Sequence, residues 1–370
     1  MVGIIQGILL GIVLLTIQRG NRRANRILGF LMISFSVSLL DILTRRTGLY
    51  IQNPHLMIGS DILIFLFGPL LFLYVQCLTK PDFTMRWYTF LHALPFLIEL
   101  VAESPFYFLG VAEKIYSINH MEDSITLYDF VSNPLQVVQI FIYILVILKQ
   151  LRLYEATLKE EFSAVDKINL SWVRTIALLV GITFLVKGIF LVGFVTGFRS
   201  ILLPYGNGVI GILASLSIYV VGYRGLIQPE IYLGRPDTES PKKYEGSTLT
   251  SEKADTFARQ LLQSMESTKP YLRSDLTLHD LSECSAIPVN HLSQIVNERF
   301  GQNFFDFINR YRIEEVKRRL ADPVHRNYTL IAIALDSGFN SKSVFNTAFR
   351  KQTGMTPSAY RTSLGPYPRR

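Results

Sequence analysis

The chain has 370 residues, 49% of them hydrophobic, with 37 Lys and Arg against 29 Asp and Glu and a formal net charge of +8. Apolar residues crowd into the first part of the chain, which argues against one large soluble core, and the basic excess suits anionic lipid, nucleic acid or both. The only cysteines, Cys77 and Cys284, fall in an apolar run and a polar region respectively, which excludes a disulfide framework and a cysteine metal cluster.

Residues 1–223 read as a membrane region. About 20 apolar residues at 1.5 Å each cross the hydrocarbon layer. Seven runs approach that length: Val2–Gln18, Ile27–Thr44, Ile58–Thr79, Trp87–Ala102, Val131–Leu148, Val173–Gly197 and Tyr205–Tyr223. The first resembles a signal peptide in length, but its basic cluster follows the apolar run, so it reads as a retained span. With the N-terminus outside, Arg19, Arg22, Arg23, Arg26, Lys80, Arg86, Lys149, Arg152, Lys159, Lys167 and Arg174 lie inside. Only Arg45, Arg46, Lys114 and Arg199 lie outside. This bias orients the bundle and delivers the C-terminus to the cytoplasm.

Gly3, Gly7 and Gly11 repeat every four residues and give one helix face a smooth groove, suited to packing within the bundle or between two subunits. Lys187 sits mid-span, and Asp41, Asp61 and Glu99 lie in or at the ends of other spans. Such charges are costly in lipid and mark these four residues as candidates for an intramembrane signalling pair or pocket. His92 reads as a packed interfacial histidine. The outside loop Glu103–Phe130 carries Glu103, Glu113, Glu122, Asp123 and Asp129 among several aromatics and reads as a solvated acidic loop, with part of a ligand site as the alternative.

Residues 224–250, with Pro229, Pro236 and Pro241, read as a linker; a flexible chain of that length spans about 30 Å. Residues 251–275 regain helical spacing, with Phe257, Leu261, Leu262 and Met265 on one face, as a connector or as the first helix of a soluble domain. Residues 276–365 then read as that domain. A capping box at Thr277–Asp280 starts a short helix through Leu281, a turn follows at Ser285–Ile287, and Pro288–Glu298 forms a second helix with Leu292, Ile295 and Val296 inward and Gly301 as its C-terminal cap. Phe304–Leu320 is a spacer helix with Phe304, Phe307, Ile308 and Tyr311 on one face. The pattern then repeats: helix Leu330–Leu335, turn Ser337–Asn340, helix Ser341–Gln352, with Phe345, Ala348 and Phe349 in the inward positions and Gly354 in the place of Gly301. Two helix-turn-helix units on a rigid spacer can present two helices to successive major grooves, about 34 Å apart. Lys342, Arg350, Lys351, Arg361, Arg369 and Arg370, with no acidic residue from Ser337 onward, form a basic surface for phosphate.

The stretch Gly338-Phe339-Asn340-Ser341-Lys342-Ser343-Val344-Phe345, with Phe349-Arg350-Lys351, Gly354-Met355-Thr356-Pro357 and Tyr360-Arg361, resembles the signature of AraC/XylS-family transcription regulators. His291-Leu292-Ser293-Gln294 and Phe307-Ile308-Asn309-Arg310-Tyr311-Arg312 resemble that family's first unit and spacer helix. The resemblance covers about Leu276–Arg361. It implies base contacts from Val289, Asn290 and Gln294 in the first recognition helix and from Lys342, Ser343, Asn346 and Thr347 in the second. Phosphate contacts are expected from Ser341, Arg350 and Lys351. Many members carry arginine where this chain has Gln294 and Thr347, and a serine cap where it has Pro288.

The sequence therefore predicts an all-α protein, a seven-helix transmembrane bundle followed by a double helix-turn-helix domain. Its expected role is a membrane-embedded one-component transcription regulator in the bacterial inner membrane. Expected partners are double-stranded DNA, the lipid bilayer, an unidentified signal ligand, a second copy in a homodimer, and RNA polymerase where it activates. No HExxH, GxSxG, histidine-kinase or cyclase motif is present, so no enzyme, cofactor or metal is expected. The alternative is a transporter or receptor whose C-terminal domain docks a partner without controlling transcription.

Overall fold

A computed structural model of the chain describes residues 1–18, 20–54, 61–80, 83–119, 127–165, 168–196, 199–227 and 249–365. Among these residues the regular structure is helical, apart from one isolated antiparallel bridge between Phe162 and Thr277. The chain divides into two units. The first holds Met1–Arg152 and Leu170–Tyr232, and the second holds Leu153–Asn169 and Leu233–Arg370. The sequence places all of residues 1–223 in one domain; the structure instead gives Leu153–Asn169 to the unit with the helix-turn-helix elements. Most of the expected linker falls outside the described residues, as do Glu122, Asp123, Arg369 and Arg370.

The first unit contains α1 (Val2–Thr16), α2 (Arg22–Thr47), the single turn α3 (Leu49–Gln52), α4 (Asp61–Thr79), α5 (Leu94–Tyr107), α6 (Val111–Asn119), most of α7 (Leu127–Glu161), α8 (Ser171–Val195) and α9 (Arg199–Ile227). Among the described residues, four segments are long and apolar enough to cross a membrane: Arg22–Thr47, Asp61–Thr79, Phe130–Glu161 and Ser171–Gly193. The other expected spans differ among themselves. Val2–Thr16 is a 15-residue helix, and the 29-residue α9 covers Tyr205–Tyr223, with an apolar stretch at Gly208–Val221. Trp87–Ala93 is a 3-10 turn leading into α5, and the chain then bends by 117° into Val111–Ser117.

The glycine pattern of α1 packs inside this unit. A Cβ at Gly7 would lie 2.1 Å from Ser36 Oγ, and one at Gly11 would lie 3.1 Å from the Gly29 carbonyl oxygen, so α1 approaches α2 almost backbone to backbone. A Cβ at Gly3 would meet Ser215 of α9 at 3.2 Å. Side-chain polarity here is inverted relative to a water-soluble protein. Leu135, Val138, Ile142 and Leu145 make one exposed apolar stripe along α7, and Leu178, Ile182, Leu185, Ile189 and Val192 make another along α8. Gln136, Ser132 and Glu99 are buried. Exposed apolar stripes of this length are compatible with membrane-spanning segments.

The second unit has the ordinary polarity and two apolar cores. The first is built from Leu261 and Met265 of α10 (Ser251–Ser267), Leu278 and Leu281 of α11 (Leu278–Ser285), Leu292, Ile295 and Val296 of α12 (Val289–Glu298), and the start of α13 (Phe304–Ala321). The second joins the end of α13 to Ile333 and Ala334 of α14 (Leu330–Asp336) and to Phe345 and Phe349 of α15 (Lys342–Thr353); Tyr360 of α16 (Pro357–Ser363) packs against it. Helix α10 thus contributes to the first core, and its Gln260 Nε2 donates to the Ser285 carbonyl at 2.6 Å. The cores meet through α13, about 27 Å long at 1.5 Å per residue.

Caps fix the helix ends. Thr277 Oγ1 accepts from the Asp280 amide at 3.1 Å while Asp280 Oδ2 accepts from the Thr277 amide at 2.9 Å, the expected capping box. Asn303, Thr329, Ser341 and Thr356 cap α13 to α16 in the same sense. Gly354 ends α15 in the left-handed region, as expected. Gly301 lies beyond the end of α12, whose C-cap is Arg299; it supplies the positive φ of the following turn instead.

Gly338 is the tightest point of the second turn. Its φ is +94°, and a Cβ there would lie 2.2 Å from the Tyr271 carbonyl oxygen. Gly338→Ala therefore meets both backbone strain and a clash with main chain. It should destabilise the second unit by about 2 kcal/mol or more, read as faster protease cleavage within residues 249–365 of the full chain. Cleavage at the wild-type rate would show that the turn can open at little cost.

Candidate nucleic-acid interface

The interface is built outward from α13. Arg312 at its centre is 1% exposed, and all five of its N–H donors are used. Nε donates to the Tyr271 carbonyl at 2.9 Å, Nη1 to the Ser163 carbonyl at 3.0 Å and Asn309 Oδ1 at 3.4 Å, and Nη2 to Ser163 Oγ at 3.0 Å and the Arg273 carbonyl at 2.7 Å. The Phe339 ring lies 5.9 Å away on the second turn. Burial draws the guanidinium down to about 10, with the charge of Asp275 acting the other way. Five neutral acceptors hold the cation at the junction of the two cores, where its desolvation would otherwise be costly.

The recognition helices α12 and α15 bury their apolar faces and leave their polar faces outward. Asn290, Lys342, Ser343, Asn346 and Thr347 are all exposed. Gln294 is half-buried and its Nε2 donates to Glu298 Oε2 at 3.0 Å on the same helix. Val289 packs against the first core and leaves only part of its side chain accessible.

The expected phosphate surface is narrower than its composition. Ser341 caps α15, with Oγ accepting from the Val344 amide at 3.2 Å, so its side chain already serves the helix N-terminus. Lys351 Nζ pairs with Asp306 Oδ2 at 2.8 Å. Arg361 is engaged with loop carbonyls: Nη1 donates to the Tyr328 carbonyl at 2.9 Å and Nη2 to the Arg326 carbonyl. Lys342 and Arg350 are exposed and, among the described residues, form no ion pair.

Sequence reasoning missed the polar scaffold behind these faces. Arg310 stacks its guanidinium over Phe300, Phe307 and Tyr311 at 5.9, 5.3 and 5.4 Å. Glu315, 5% exposed, accepts from Arg318 and Arg319, with its closest contact 2.6 Å to Arg318. The signal for Glu315 was present as an acid followed by arginines at i+3 and i+4. That for Arg312 was a cation on the inward face of an amphipathic helix.

The four intramembrane candidates fall into two clusters in the first unit. Arg45, expected in an outside loop, lies within α2 and pairs with Asp41 at 2.9 Å and Asp61 at 3.9 Å. Lys187 Nζ donates to Gln136 Oε1, Gln136 Nε2 donates to the Asp61 carbonyl at 3.3 Å and to Ser132 Oγ at 3.4 Å, and Ser132 Oγ donates to Glu99 Oε1. Lys187 and Glu99 are thus linked through two neutral side chains. His92 is packed as expected: Nδ1 lies 2.6 Å from the Tyr143 hydroxyl and the ring 5.4 Å from that of Phe72.

The Glu315 carboxyl is held down at about 2, first by the hydrogen bond from Arg318 and opposed by its own burial. Its folded pKa is below the ordinary value. The stability it supplies is therefore complete above about pH 4.5 and is lost as pH falls toward 2. Arg318 is largely exposed, which reduces the gain to about 1–2 kcal/mol. Acid unfolding of the second unit, followed by amide exchange in the full chain, should begin at higher pH in Glu315→Gln than in wild type below pH 7. Matching acid-unfolding curves for the two proteins would remove the carboxylate from this role.

A helix-turn-helix domain family profile matches residues 281–363, which contain α12 to α16 and most of α11. An uncharacterized HTH-type transcriptional regulator of Staphylococcus aureus strain COL is 36% identical over 91 residues, 25% of this chain and 12% of that protein. A counterpart from strain MSSA476 is equally similar over the same share. A putative AraC-like transcription regulator of Streptomyces lividans is 33% identical over 85 residues, 23% of this chain and 27% of that protein. The chain thus spans about an eighth to a quarter of the length of these relatives. No solved structure matches the chain. With its paired units, its spacer helix and these relatives, the C-terminal part of the chain is a helix-turn-helix domain of the AraC type.

Proposed function

We propose that the chain is a membrane-embedded, one-component transcription regulator. In this reading the first unit senses a signal in or outside the bilayer and the C-terminal domain binds specific DNA in the cytoplasm. The observation that carries the proposal is the coexistence of two opposite polarities. The apolar stripes of α7 and α8 face outward in one unit, and an AraC-type domain leaves its polar recognition faces outward in the other. The positive-inside bias supports an N-terminus outside and a cytoplasmic C-terminal domain. A homodimer and contact with RNA polymerase belong to the same proposal. A transporter or receptor with a docking domain accounts for the intramembrane charges but leaves the exposed Asn290 of α12 and Lys342 and Asn346 of α15 without a use.

Base readout is assigned to Asn290 and Gln294 of α12 and to Lys342, Ser343, Asn346 and Thr347 of α15, with Val289 offering an apolar edge. Asn and Gln suit adenine, and Lys suits guanine. Arg350 supplies the principal phosphate contact, with Ser341 beside it. Lys351 joins by exchanging Asp306 for phosphate, an exposed pair worth at most about 1 kcal/mol. Genome-wide occupancy of the full chain should then show discrete sites. Asn290→Ala and Asn346→Ala should each relax one operator position by roughly ten- to hundredfold, the two lying about one helical turn apart. Arg350→Ala should weaken binding to every sequence and flatten the salt dependence by about one unit. Absence of discrete sites would favour the docking-domain alternative.

The signal is assigned to the polar chain Lys187–Gln136–Ser132–Glu99. Lys187 also borders a small cavity with Phe35, Ser38, Phe67, Thr183 and Ser217. At about 70 Å³ it is far below the roughly 300 Å³ that a drug-sized ligand needs, so a repacking of the helices is the favoured trigger. Lys187→Met should hold target transcription at a constant level, on or off, at unchanged membrane abundance. A normal response to the signal would reduce Lys187 to a packing role.

A further inference from the structure

The segment that joins α7 to α8 is built into the AraC-type domain. It lies in the second unit together with that domain. Phe162 forms the antiparallel bridge with Thr277, the residue that caps α11. The Ser163 amide and hydroxyl both donate to the Leu276 carbonyl, at 3.2 and 2.6 Å. Ser163 is fully buried, and its carbonyl and hydroxyl oxygens take two of the five Arg312 hydrogen bonds. One turn earlier, Glu160 Oε2 accepts from Asn297 Nδ2 of recognition helix α12 at 2.9 Å.

We propose that Glu160–Ser163 is a docked strap through which the membrane helices control the DNA-binding domain, in parallel with the linker expected at residues 224–250. This rests on the regulator reading above. The strap is continuous with α7 on one side and reaches α8 within a few residues on the other, so a shift or rotation of either helix pulls on it directly. With the strap seated, all five Arg312 donors are satisfied and α13 rigidly joins the two cores. With the strap withdrawn, a buried guanidinium loses two acceptors. Its desolvation is then uncompensated, and the junction between the two helix-turn-helix units loosens. The spacing of the recognition helices therefore depends on the strap, although no strap residue needs to touch DNA.

The test uses the full chain in phosphatidylglycerol–phosphatidylethanolamine nanodiscs. Amide exchange at Ser163 should be at least about a hundredfold slower than in unstructured chain. Ser163→Gly should speed exchange at residue 163 and along α13 about tenfold, with the core of α8 unchanged. Glu160→Ala and Asn297→Ala should each give a smaller increase, and the double variant should add nothing to either. Glu160→Gln, whose amide oxygen still accepts, should restore protection. In cells, Ser163→Gly and Glu160→Ala should shift the same transcripts that deletion of the gene shifts, at unchanged membrane abundance. If Ser163→Gly lowers abundance, the Glu160 and Asn297 variants decide the question. Unprotected Ser163 in the wild type, or loosened variants with wild-type transcripts, would overturn the strap. A deletion that changes no transcript would instead sink the regulator reading, and the exchange result would still stand by itself.

Discussion

Arg312 is a buried charge that, among the described residues, forms no direct ion pair, and the architecture of the second unit follows from how it is satisfied. A guanidinium has five donors in a fixed plane, so it can be buried only where five acceptors converge. Here they come from the turn before α11, from the helix that carries the arginine, and from a segment 149 positions earlier in the chain. Each acceptor is neutral, so the cation organises carbonyls that would themselves be under-satisfied without it. The close approach of Gly338 to the Tyr271 carbonyl belongs to the same knot, because that oxygen also accepts from Arg312. Two apolar cores of ordinary composition are thereby joined through a polar junction.

The two units show opposite surface polarities with the same secondary structure. In the second, amphipathic helices turn Leu, Ile and Phe inward and display charge. In the first, α7 and α8 display Leu, Ile and Val and turn Gln136 and Lys187 inward. Helices serve both because every backbone group is paired within the element. What differs is where the rare polar side chains can survive. Lys187 and Glu99 meet through Gln136 and Ser132, an arrangement that spreads charge over neutral dipoles.

Composition overstated the basic surface. Arg361 braces two loop carbonyls, Lys351 is paired with Asp306, and Arg310 covers an aromatic cluster. The arginines that stabilise the fold and those that are free to meet phosphate belong to one residue type. Only their neighbours separate them. Lys342 and Arg350 remain as exposed cations on the second recognition helix, beside the polar residues assigned to base readout.

Local patterns determined much of this protein in advance. The capping box at Thr277, the 3.6-residue spacing of Leu292, Ile295 and Val296, and the glycine at 338 fix short-range geometry. Each depends on neighbours a few residues away, so the helix-turn-helix repeat was legible in the residues themselves. The apolar runs likewise marked the membrane-like region and the short first helix, although length alone could not reveal the 117° bend after α5. The tertiary structure decided everything that joins distant segments: that α1 uses its glycines against α2 and α9, that Lys187 is met by Gln136, and that Ser163 completes the shell of Arg312. Each brings at least one neutral partner across a long stretch of chain, and none leaves a periodicity or paired-charge pattern behind. A serine in a short connection carries no sign of its partner until folding brings the guanidinium to it.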